Sequence, residues 1–303
     1  MSTSSCVLAG YTRPIIARGW HMKRWMGWVV FALLAWTACA GATDVRKTAE
    51  ASMLVTGWID VAPNGSVHDY TIDRVENVPS AVTDLIKKSV VGWKFHFDEP
   101  VDAMQRTKMY LRIKATPVDD QHESIAISGA TFGDGGDAAT DHVRYKDRQP
   151  PSYPHDAVES RVSGTVYLVV RVNRQGTVEN VAAEQVNLNS YGRESQMRHF
   201  RDMLADASIE AAKKWTFKLP TTGKHTADPY WDVRVPVAYN LNVMGAPKQD
   251  TYGKWQVYIP GPRELVPWLK AEASMTSSPD TIPAGSISQA NTSLHLTTAL
   301  DGA

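Results

Sequence analysis

Residues 150–181 read PPSYPHDAVESRVSGTVYLVVRVNRQGTVENV; further on come AAKKWTFKLP at 211–220 and WDVRVPVAYNL at 231–241. Val166, Leu168, Val170 and Val172 recur at every second position, the period of a strand with one buried face. Asn173-Arg174-Gln175-Gly176 is a turn, and Val178 to Val181 begins a return strand. Met197, Phe200, Leu204, Ser208, Ala211 and Trp215 follow at helical steps, an apolar stripe for one face of a helix. The last strand sets Trp231, Val233, Val235, Val237, Tyr239 and Leu241 on one face. Asp232, Arg234, Pro236, Ala238 and Asn240 fall on the other. Pro236 has no N–H to give a ladder, so this strand is predicted at a sheet edge, where the proline also blunts uncontrolled pairing.

The same order, strand, turn, strand, helix, strand, is echoed upstream. Val55, Gly57, Ile59 and Val61 alternate with Thr56, Trp58 and Asp60, and Pro63-Asn64-Gly65 is a turn signal. Ser80 to Val91 has the helical spacing Val82, Leu85, Ile86 and Ser89 to Val90. Gly92-Trp93-Lys94-Phe95 ends that helix, and Met109, Leu111 and Ile113 alternate as a closing strand. When Gly65 is laid on Gly176, the Trp93-Lys94-Phe95 run falls near Trp215-Thr216-Phe217, which indicates an internal duplication. The predicted fold class is α+β: two small β-β-α-β units, each a helix packed on a three-stranded antiparallel sheet. Trp93, Phe95, Trp215 and Phe217 are its expected core residues.

The organisation that follows is an export segment at 1–42, a first unit at 43–116, a Gly/Asp-rich linker at 117–149 and a second unit at 150–243. An extended segment rich in proline and aromatics at 244–270 and a Ser/Thr/Pro-rich tail at 271–303, predicted to be disordered, complete it. Lys23 and Arg24 precede an apolar run from Trp25 to Trp36, and Ala40-Gly41-Ala42 has the A-x-A form of a signal cleavage site. An apolar core of about 12 residues suits a signal peptide, whereas a spanning helix needs about 20. An uncleaved inner-membrane anchor at 25–42 and a lipoprotein through Cys39 are the alternatives, and Met22 is an alternative start. The predicted localisation is the periplasm.

Composition excludes several function classes. Lys+Arg and Asp+Glu number 32 each, so no basic field invites nucleic acid. Arg13, Arg18, Lys23 and Arg24 all lie in the export segment; without those four the balance is 28 against 32, a net charge of −4. Cys6 and Cys39, the only cysteines, precede the cut, which leaves no thiol for catalysis or zinc. His122, Glu123, Asp134, Asp137, Asp141 and His142 cluster around the linker, but without H-E-x-x-H or a calcium-loop pattern they read as solvated polar residues. No nucleophile elbow or phosphate loop is present, so no catalytic residue, metal or cofactor is predicted and the chain is read as not an enzyme.

The second unit resembles the TonB C-terminal domain family. The resemblance is carried by Pro151-Ser152-Tyr153-Pro154 with Ala157, by Val162-Ser163-Gly164-Thr165-Val166, and by Asn173 to Gly176 with Val178. Ala211 to Phe217 and Val233 to Leu241 complete it, over about 90 residues. The first unit resembles the same domain more loosely, as a degenerate copy without the Tyr-Pro lead-in. The resemblance implies a periplasmic module linking inner-membrane motor proteins to outer-membrane receptors, which pairs with a short receptor segment by strand addition. It also implies partner-binding roles for Tyr153, Pro154, Trp231, Val233, Val235, Val237 and Tyr239. For Tyr153 and Pro154 a rigid extended lead-in to the first strand is the competing assignment. With no long Pro/Lys/Glu-rich spacer, the chain is expected to be a soluble or loosely attached binding protein of the TonB type. A structural envelope protein resting on peptidoglycan is the alternative.

Overall fold

The computed structural model describes residues 49–118, 122–133, 140–241, 250–269, 278–290 and 293–300. It is an α+β protein with antiparallel sheets. The export segment, with Ala40 and Ala42, lies outside the described residues. No described helix is long and apolar enough to cross a membrane.

β1 (Glu50–Val61) and β2 (Val67–Ile72) form a hairpin across Pro63-Asn64-Gly65. Asn64 Oδ1 accepts the Ser66 N–H at 3.0 Å, and Gly65 takes a φ of 78° that an L side chain rarely adopts. α1 (Ser80–Val90) buries Val82, Leu85, Ile86 and Val90, one face at helical spacing. β3 (Phe95–Phe97) follows it, and β4 (Gln105–Pro117) pairs with β1 from Ala51↔Ala115 to Val61↔Gln105. Met53, Val55, Ile59, Met109, Leu111 and Ile113 from the sheet meet the α1 stripe and Trp93 in one apolar core. Burying each such side chain contributes about 1.5–3 kcal/mol.

The second set repeats the order. β6 (Arg144–Asp147) and the short α2 (His155–Glu159) lead into β7 (Gly164–Asn173) and β8 (Val178–Leu188). α3 (Glu194–Ala212), β9 (Thr216–Lys218) and β10 (Tyr230–Tyr239) follow, with β10 antiparallel to β7 over its whole length. Met197, Phe200, Leu204 and Ser208 of α3 are buried against this sheet. The last inward position is Ala212 rather than the expected Ala211, because the helix ends there before Trp215 folds under the sheet. The two sets close alike: the Phe95 N–H donates to Gly65 O at 2.8 Å, and the Phe217 N–H to Gly176 O at 2.7 Å.

Three expectations are corrected. The stretch at 117–149, read as a linker, contains β5 (Glu123–Phe132), which pairs along β4, and β6, which pairs with β9. The tail read as disordered holds a 3₁₀ turn at Pro279–Thr281, β12 (Ser288–Gln289) and β13 (Leu294–Leu296). β13 pairs with β3, and β12 with β10. Before them, β11 (Gln256–Tyr258) pairs with the start of β1. The sheets therefore have five and four strands, in the orders β11-β1-β4-β5 (with β2 also on β1) and β12-β10-β7-β8, instead of three each.

The second sheet is also buried on its other face. Asp232 and Arg234, expected on a polar face, are 7% and 6% exposed, while Leu241 lies past the end of β10 and is exposed. Partners on β7 and β8, together with residues after β10, cause this. Arg263 and Arg234 both pair with Glu184, which has no exposed surface. Asp280 sits beside Arg112 of β4 and accepts the Tyr258 hydroxyl at 3.1 Å. Buried charges persist where they are paired and hydrogen-bonded, and these are.

Candidate functional site at the outer edge of β10

β10 gives one edge to β7 from Tyr230↔Asn173 to Tyr239↔Gly164. Its outward carbonyls belong to the even-numbered residues: Asp232 O accepts the Ala290 N–H at 2.9 Å and Pro236 O accepts the Gly285 N–H at 3.2 Å. The N–H that Pro236 lacks would have pointed outward too, so the proline costs the β10–β7 ladder nothing. On that outer side β12 supplies only Val233↔Gln289 and Arg234↔Ser288. Ala238 has no ladder partner there among the described residues.

The five predicted side chains on β10 do not form a surface. Trp231, Val233, Val235, Val237 and Tyr239 all point into the core beneath α3. Trp231 donates its indole N–H to His225 O at 2.9 Å. Tyr239 shares a 2.8 Å hydrogen bond with the Ser208 hydroxyl. What this strand offers is main chain. Tyr153 is half-buried: its ring meets Tyr239 edge-on at 5.1 Å and its hydroxyl donates to Val162 O at 2.6 Å. Burial, with Tyr239 nearby, pushes its pKa up to about 12. Pro154 is extended and caps α2, so the pair is joined to the core below β10 rather than projected from it. Trp93, Phe95, Trp215 and Phe217 are all buried, and Trp215 donates its indole N–H to Gln149 O at 2.8 Å.

Sequence reasoning missed the charged clusters around this sheet. Arg171 makes a two-pronged contact with Asp232, 2.8 Å on each side, with its guanidinium 3.7 Å from the centre of the Tyr230 ring. The signal was present: Asp232 and Arg234 interrupt an apolar strand, and buried charges there require partners. Of the His, Asp and Glu residues read as solvated around the linker, Asp134 and Asp137 lie outside the described residues, while His142 is buried and pairs with Asp141 at 3.0 Å. Among the described residues no group of three or more His, Cys, Asp or Glu is placed to hold a metal.

One hundred residues, 33% of the chain, are 36% identical to Protein TonB of Xanthomonas campestris pv. campestris strain B100. The same figures hold for Protein TonB of a second strain of that pathovar. The chain thus contains a TonB C-terminal-like domain. It spans 39% of the length of these curated relatives. No protein-family model matches the chain, and no solved structure does.

Proposed function

We propose that this chain is an exported, periplasmic TonB-like binding protein. It would act in or alongside TonB-dependent transport across the outer membrane, taking up an extended segment of an outer-membrane receptor or other envelope protein as an added strand on β10. The observation that carries the reading is the asymmetry of β10. One edge is fully laddered, while the other is interrupted by Pro236 and is met only by a strand of two residues. An extended peptide recognises such an edge through backbone hydrogen bonds, with little demand on side chains.

The repeated element order and the matched Gly65–Phe95 and Gly176–Phe217 closures support two tandem β-β-α-β units, the first a degenerate copy. In this reading the second unit binds and the first braces it, and residues 1–42 direct export with cleavage after Ala42. Inner-membrane motor proteins are further candidate partners.

The test is titration of the chain with synthetic peptides from the periplasm-facing N-terminal segments of outer-membrane receptors. Backbone amide shifts should concentrate on β10. Co-sedimentation with cell-wall sacculi, together with no peptide binding, would instead assign a structural role in the envelope.

A further inference from the structure

The chain already contains a strand on the edge of β10, and it is placed like a substitute. The described residues between 278 and 300 are held at two ends, one on the first sheet and one on β3. At one end Thr281 bonds Thr131 of β5 at 2.5 Å, and Asp280 holds Arg112 of β4. At the other end β13 pairs with β3 from Leu294↔Phe97 to Leu296↔Phe95, and His295 reaches Asp98 at 3.0 Å. Between these anchors, residues 285–290 cross to the second sheet and lie on β10.

The two edges of the second sheet are covered very differently. Over β8, Ile259 and Leu188 exchange two main-chain bonds of 3.0 and 2.7 Å, Glu264 N–H donates to Glu184 O, and Arg263 is locked to the buried Glu184 carboxylate. Removing one partner of such a pair strands the buried Glu184 charge, so that cover is fixed. Over β10 the cover is Gly285-Ser286-Ile287-Ser288-Gln289-Ala290: two ladder pairs, one flanking bond at each end, a half-buried Ile287, and single hydrogen bonds from Tyr145 to Ser286 O, from Arg148 to Gly285 O and from the Val143 N–H to Gln289. It forms no ion pair with β10. An incoming strand making the same main-chain bonds replaces them at little cost.

We infer that residues 285–290 are a displaceable internal strand that fills the β10 binding edge when no partner is present. The partner they stand in for is an extended protein segment with one aliphatic residue between small ones, followed by an amide side chain. Each feature has a counterpart. Ile287 packs on the core of the second sheet, and Ser288 is 3% exposed, which leaves no room for a large side chain. Gln289 Oε1 accepts the Val143 N–H at 2.7 Å. A longer incoming segment can add pairs toward Ala238 that the two-residue β12 does not make, and both anchors can stay in place while the middle leaves. The inference rests on the reading of β10 as a binding edge, and the binding-competent state is the fraction of molecules in which the internal strand is released.

The experiment uses the protein's own sequence as probe, a labelled peptide of residues 283–290, PAGSISQA. Ile287→Ser with Ala290→Pro removes the packing and the donor to Asp232 O without touching either anchor. This variant should bind the peptide at least about tenfold more tightly than the wild-type chain. In a chain with Cys6→Ser and Cys39→Ser, the added pair Val233→Cys and Gln289→Cys should abolish binding when oxidised and restore it on reduction. Hydrogen exchange on the wild-type chain needs no variant: Gly285 and Ala290 amides should exchange about 100-fold faster than those of Val233 and Val235. Equal protection of the four amides, no peptide binding by a folded weakened variant, or undiminished binding by the oxidised chain would each overturn the inference. Receptor peptides failing on every variant while PAGSISQA binds would sink the transport reading and leave the internal strand standing.

Discussion

The carbonyl of Gly176 accepts the N–H of Phe217 at 2.7 Å, tying the β7–β8 turn to the strand that leaves α3. Gly176 sits at a φ of 75°, and a Cβ built on it would lie 2.4 Å from the Phe217 carbonyl oxygen. Gly65 stands in the same relation to Phe95, with a φ of 78° and a Cβ distance of 2.0 Å.

Gly176→Ala should therefore cost more than the about 1 kcal/mol of an ordinary glycine effect, on the order of 2–4 kcal/mol, through both strain and collision. Gly65→Ala should do the same to the first sheet. Urea denaturation measures both. A loss below about 1 kcal/mol would mean the turn relaxes freely.

Glu184→Ala takes the Glu184 carboxylate away from Arg234, which is 6% exposed, and from Arg263. The expected loss is about 3–5 kcal/mol, with a smaller combined loss for Glu184→Leu with Arg234→Met, because the second change removes the stranded charge. Chemical denaturation of the single and double variants checks this non-additivity.

Trp215→Phe keeps most of the apolar bulk but deletes the indole donor to Gln149 O. About 1–3 kcal/mol should be lost. Exchange of the backbone around Gln149 should rise before that of β7.

Alkaline pH should destabilise the fold through its tyrosines. Burial pushes Tyr145, Tyr153 and Tyr167 from 10.0 up to about 12, with Arg148 partly opposing the rise at Tyr145 and Arg112 at Tyr167. A raised native pKa means the unfolded chain ionises first. Stability is thus intact below pH 10.0 and falls as pH rises through about 12. Circular dichroism should follow tyrosinate absorbance in that window, and Tyr145→Phe should reduce the slope.

Acid acts at the other sheet. At Asp73 burial opposes ionisation, but the Lys108 ammonium and the Thr56 hydroxyl outweigh it and hold the carboxyl below 3.8. Its contribution is present above 3.8 and is lost as pH falls through its lowered native value. Asp73→Asn should lower stability at neutral pH and flatten its fall below about pH 4, so that variant and wild type come closest in acid.

Much of the architecture was written in local patterning. The α1 face Val82, Leu85, Ile86, Val90, the inward set Val166 to Val172 and the inward set Trp231 to Tyr239 are all buried as their spacing implies. Period 2 and period 3.6 are local rules, so one chain segment suffices to state them. The turn glycines and the outward position of Pro236 follow from backbone chemistry that needs no partner to be known. The candidate site was legible as a strand; its expected place at the edge was corrected by β12, which pairs on its outer side.

Tertiary structure alone decided what lies on that edge and behind it. β5, β11, β12 and β13 carry little periodicity because they join existing edges through main-chain bonds, to which side-chain patterns are nearly blind. Asp232 and Arg234 looked solvent-facing because their cover, Arg171 on one hand and Glu184 with Arg263 on the other, is brought in from distant parts of the chain. The sequence by itself determined two helix-on-sheet cores and a last strand whose outer side carries Pro236. Only the folded chain decided that residues 285–290 lie against that strand, since a short polar segment is placed by the anchors on either side of it.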